Sequence, residues 1–97
     1  MADERLYIVA YDVACQKRWR RIFKTMKGYG RWLQLSLFQC RLTARRKAEL
    51  ATKLDALVKP GHDHVVIIDI GPADKADLRV ESFGKKVETV RREAVIV

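Results

Sequence analysis

The chain has 97 residues, 48% of them hydrophobic, and a formal net charge of +8. That length holds one domain with a modest core, and the apolar content excludes a wholly disordered chain. The cationic excess points to a polyanionic partner, nucleic acid before an acidic membrane surface, and no apolar run is long enough to span a membrane.

Residues 6–13 predict a strand. Leu6, Ile8, Ala10 and Asp12 fall on one face, and Tyr7, Val9, Tyr11 and Val13 on the other, so it is buried on both sides until its last residues. Cys15, Trp19, Ile22, Phe23 and Met26 then recur at helical spacing, with Gly28 and Gly30 as the stop. Residues 33–40 form a second strand region, either one strand or two short ones bent near Ser36. Thr43 is placed to cap a second helix whose buried stripe would be Ala44, Ala48, Ala51, Leu54, Leu57 and Val58, ended by Pro60-Gly61. Residues 65–70 predict a further strand, residues 80–84 a short one, and residues 94–97 an apolar tail.

This order predicts a single α+β domain over residues 1–97, a ferredoxin-like βαββαβ sandwich with both helices on one face of the sheet. The other face is apolar as well and needs a cover. A homodimer packed sheet to sheet supplies one, with residues 81–97 as the segment expected to pair with the partner.

Between Asp12 and Glu49 there is no carboxylate, while eleven Lys and Arg side chains fall in the interval. Lys17, Arg18, Arg20, Arg21, Lys24, Arg31, Arg41 and Arg45 are the expected nucleic-acid contacts, since guanidinium and ammonium groups hold the phosphate backbone. Asp12 is open to two readings, a divalent-metal ligand at a strand end or a cap for the helix that follows. Asp69 is a weaker ligand candidate, expected about 15–20 Å from Asp12 in an antiparallel sheet. His62 and His64, flanking Asp63 beside a turn, read as solvent-exposed loop residues. Trp19 falls on the apolar stripe, whereas Tyr29 and Trp32, near the glycines, are better placed to stack on bases. Cys15 and Cys40 lack zinc-site spacing and read as reduced thiols, and the first residues lack a secretory pattern, so the expected compartment is the cytoplasm.

The strand 7–13 ending in Tyr11-Asp12, the basic helix, Gly28-Tyr29-Gly30-Arg31 and Gln34-Leu35-Ser36-Leu37-Phe38-Gln39-Cys40 together resemble the CRISPR-associated protein 2 family. The resemblance implies a ferredoxin-like homodimer with an exchanged C-terminal strand. It also implies a part in spacer acquisition, in which the dimer bridges the integrase, CRISPR-associated protein 1. Metal-dependent cleavage of RNA or DNA is implied too, with Asp12 of both protomers sharing one Mg²⁺ and Tyr11 beside it. Ser36 and Phe38 match the family's second-strand motif. Gln39 stands where Glu is usual, Leu35 where Tyr or Lys is common, and Arg31 is displaced by one position. Two alternatives remain open: a non-catalytic scaffold of the integration complex, and a single-strand RNA-binding module of the same fold.

Overall fold

A computed structural model describes residues 3–76 and 78–84. The elements run β1 (Glu4–Val13), α1 (Gln16–Lys27), β2 (Gly30–Gln34), β3 (Leu37–Thr43), α2 (Ala44–Leu57) and β4 (Asp63–Pro72). The sheet order is β2-β3-β1-β4 with every neighbouring pair antiparallel, the expected ferredoxin-like arrangement. The second strand region is two strands, joined by a turn in which Leu35 takes φ +26°.

Alternation along β1 decides the layering. Tyr7, Val9 and Tyr11 enter the core, with Phe38, Cys40 and Leu42 from β3 beside them. Ile22, Phe23 and Met26 close over this row from α1, and Leu50 and Leu54 from α2. Trp19 stacks on Phe23, ring centroids 5.1 Å apart, so its expected place on the apolar stripe holds. The stripe of α2 is shifted from expectation: Leu50 and Leu54 are buried, while Ala44 and Ala48 are exposed. Leucine gains far more from burial than alanine, so the Leu50, Leu54, Leu57 face sets the helix's rotation.

Thr43 caps α2 as expected, its hydroxyl accepting from the Arg46 N–H at 3.2 Å. Gly28 ends α1 in an ordinary right-handed conformation. Gly30 answers a different need, the close approach of β2 to β3. A Cβ there would lie 2.6 Å from the Gln39 carbonyl oxygen and nearer still to Cys40 Sγ.

On the opposite face lie Leu6, Ile8 and Ala10 of β1, with Leu37 of β3 and Val66 and Ile68 of β4. Leu6 is buried and Ile8 partly so, but Ile68 is 48% exposed, so this face is only partly covered. Residues 80–84 form no strand, contrary to expectation. The segment 78–84 instead borders a cavity of about 760 Å³ lined also by Ile8, Leu33, Leu35 and Leu37. The expected tail strand at 94–97 lies outside the described residues.

Candidate nucleic-acid and metal site

Asp12 is exposed at the end of β1. Among the described residues its carboxylate makes no hydrogen bond and no ion pair. It does not cap α1, whose N-cap is Cys15 with no side-chain hydrogen bond. The residue paired with it across the sheet is His64 of β4. Asp69 pairs instead with Tyr7, five residues back along β1, roughly 15–20 Å from Asp12 as expected.

The carboxylate that ties down this end of the molecule is Asp63. Its side chain has no exposed area and accepts from Arg18 Nε at 2.6 Å and Nη2 at 2.9 Å. The Lys59 backbone N–H donates to it at 2.8 Å. The Arg18 guanidinium first, with the Lys59 and Ala14 N–H groups adding, holds the Asp63 carboxyl far below the usual carboxylate range. Asp63 pairs with Val13 and so faces the helices, while His64 faces the other way with Asp12.

Tyr11 faces the opposite side of the sheet from Asp12. Successive strand residues point to opposite faces, and Tyr11 is 5% exposed, its ring 6.3 Å from those of Trp19 and Phe38. Its hydroxyl is buried without a hydrogen-bond partner among the described residues, and burial pushes its pKa up. Phe38 is wholly buried in the core. Ser36 has a structural task, its hydroxyl accepting from Trp19 Nε1 at 2.7 Å and its carbonyl from the Tyr11 N–H at 3.1 Å.

The expected basic surface divides into parts. Lys17, Arg20, Arg21 and Lys24 form an exposed ridge on α1, and among the described residues no carboxylate pairs with them. Arg18 is withdrawn from this ridge by Asp63. Arg31 and Arg41 lie on the other side of the molecule, on the sheet face away from the helices, and Arg41 sits 3.6 Å from Glu4. Arg45 pairs loosely with Glu49 along α2. The expected stacking platforms are partly occupied. Arg46 and Lys53 lie over the Tyr29 ring at 4.5 and 5.1 Å, and Trp32 packs edge-on against Phe23 while donating to the Leu35 carbonyl.

Cys15 is partly exposed, and the backbone N–H groups of Arg18 and Lys17 hold its thiol below the ordinary value. Cys40 is buried, which pushes its thiol up to about 11. Two features escaped the sequence reading, the Arg18–Asp63 latch and the placing of His64 opposite Asp12. Strand alternation puts residues 64, 66 and 68 on one face, but the register between strands so far apart in sequence fixes which β1 residue each one meets.

The model of the CRISPR-associated protein Cas2 family matches residues 5–77. The chain is 54% identical over 94 residues to "CRISPR-associated endoribonuclease Cas2 1" of Rhodospirillum rubrum, covering 97% of this chain and 92% of that one. It is 50% identical to "CRISPR-associated endoribonuclease Cas2" of Geobacter sulfurreducens, covering 97% and 99%. Among solved structures, one titled "Crystal structure of cas2" superposes with a TM-score of 0.71 at 34% identity, over 84% of this chain and 91% of that one. The Streptococcus pyogenes Cas2 structure at pH 6.5 gives 0.72 at 26% identity, over 81% and 99%. The chain belongs to the Cas2 family of CRISPR-associated proteins.

Proposed function

We propose that this chain is a metal-dependent endonuclease of CRISPR adaptation that works as a homodimer on RNA or DNA. The observation that carries this reading is Asp12, an exposed carboxylate without a protein partner, at the end of the molecule where the cation ridge of α1 begins. The endoribonuclease names of the relatives at 54% and 50% identity support hydrolysis of a phosphodiester. The partly covered sheet face, with Ile68 and Ile70 exposed, supports a second copy as its cover. Bridging of the CRISPR-associated protein 1 integrase by this dimer belongs to the same proposal.

No group of three or more His, Cys, Asp or Glu side chains gathers among the described residues, so one chain does not complete a metal site there. Magnesium fits nonetheless, because it keeps several waters and needs only one or two carboxylates. Asp12 of each protomer would hold it, and when bound it supplies charge neutralisation and polarisation at the phosphate. The chain's own tasks are to hold the backbone through Lys17, Arg20, Arg21 and Lys24 and to keep the Asp12 carboxylate free. The exposed cation ridge supports, as a second reading, a scaffold that binds nucleic acid without cutting it, since holding a phosphate backbone needs no metal.

Cleavage of labelled RNA and duplex DNA, with Mg²⁺ or EDTA, by wild type and Asp12→Ala separates the two. Metal-dependent cleavage that vanishes in a still-dimeric variant supports the nuclease. Equal cleavage by both, or none by clean wild type, leaves the scaffold.

A further inference from the structure

We propose that His64 is the second protein ligand of the Asp12 site, so that the site takes a first-row transition ion more tightly than Mg²⁺. The inference rests on the reading of Asp12 as a metal ligand and adds a residue and a metal class to it.

The argument is one of register. Asp12 and His64 are directly opposed in the antiparallel β1–β4 pair. Residues so opposed project to the same face with Cβ atoms about 4.5–5.5 Å apart, close enough for a carboxylate oxygen and an imidazole nitrogen to reach one ion. Both residues are exposed, and among the described residues neither side chain is engaged in a hydrogen bond or ion pair. Their donor atoms are therefore available without breaking anything.

The neighbours are set differently. Asp63 faces the helices and is saturated by Arg18 and the Lys59 N–H, which fixes the start of β4 and with it the position of the adjacent His64. His62 precedes the strand in the turn, its backbone N–H bound to the Lys59 carbonyl. Only one histidine of the His-Asp-His run thus lies across the ladder from Asp12. A carboxylate alone suits Mg²⁺, whereas an added imidazole moves the preference toward the transition series. If two protomers meet at Asp12, the pair brings two carboxylates and two imidazoles.

The test is a titration of the intact protein with Co²⁺, followed by visible absorption, and with Mg²⁺ as competitor, for wild type, Asp12→Ala, His64→Ala and His62→Ala. Circular dichroism checks the fold of each. Wild type should bind Co²⁺ in preference to Mg²⁺, and His64→Ala should weaken Co²⁺ about 10–100-fold and alter its absorption bands. Mg²⁺ affinity should change little in that variant, and His62→Ala should match wild type. Loss of Co²⁺ in Asp12→Ala with none in His64→Ala overturns the inference and leaves the Asp12 reading intact. Unchanged Co²⁺ binding in Asp12→Ala, or no binding by wild type, overturns both.

Discussion

The Arg18 guanidinium grips the Asp63 carboxylate through two nitrogens, at 2.6 and 2.9 Å, across 45 residues of sequence. This clamp joins the first turn of α1 to the start of β4, so the two segments that flank Asp12 cannot drift apart. Asp63→Asn should lower the melting temperature at neutral pH. The sign with pH follows from the carboxyl being held below its ordinary value. Its stabilisation is complete above the unfolded value near 3.9 and is lost as pH falls through the lower folded value. Melting temperatures of wild type and variant should therefore differ by a constant amount from about pH 5 upward and converge only in acid.

Tyr11→Phe makes a sharper test of which half of the Tyr11-Asp12 pair matters. The hydroxyl is buried with no hydrogen-bond partner among the described residues, so its removal relieves a desolvation cost on the order of 1–3 kcal/mol. Denaturant unfolding should show the variant equal to or more stable than wild type, with cleavage rates unchanged. A large loss of activity in a stable variant would return Tyr11 to the site.

The ridge on α1 predicts the salt dependence of binding. Each of Lys17, Arg20, Arg21 and Lys24 is exposed and unpaired among the described residues, so each is free to displace a counterion. Affinity for duplex DNA measured from low to high salt should give a log–log slope of about −3.6 if one ridge neutralises four phosphates, and about −7 if both ridges of a dimer engage. Alanine at any one of the four should flatten that slope by about 0.9 for each engaged protomer. Arg18→Ala should instead cost stability, because its charge belongs to Asp63.

The two thiols should separate in a reactivity assay. Cys15 is partly exposed with its thiol held below the ordinary value, whereas Cys40 is buried and pushed up to about 11. A disulfide reagent at neutral pH should titrate one group quickly and the second only on unfolding. Cys15→Ser should abolish the fast phase.

Much of the fold was legible because alternation and helical spacing are local. The two faces of β1 and the Thr43 cap follow from residues within a few positions of one another, whereas the sequence left residues 33–40 open between one strand and two. The rotation of α2 was less so, since alanine is compatible with either side and only the packed leucines choose. At the site, the free carboxylate of Asp12 could be suspected from sequence, but not its neighbours. The task of Asp63 was not legible because its partner, Arg18, lies on another element, and nothing local marks such an ion pair. His64 was passed over for the same reason: its significance is a matter of which residue it faces across the ladder.

Tyr11 and Asp12 stand one peptide bond apart yet look into different worlds, one into packed aromatic rings and one into water. A two-letter signature at such a place can record two unrelated demands on the chain. Substitutions should then be tolerated by different rules at the two positions, shape and volume deciding at Tyr11, charge and ligating ability at Asp12. On the proposed role of Asp12, a relative that keeps the tyrosine and changes the aspartate would retain the architecture while giving up metal-dependent cleavage. The pair is therefore poor shorthand for activity when it is scored as a unit.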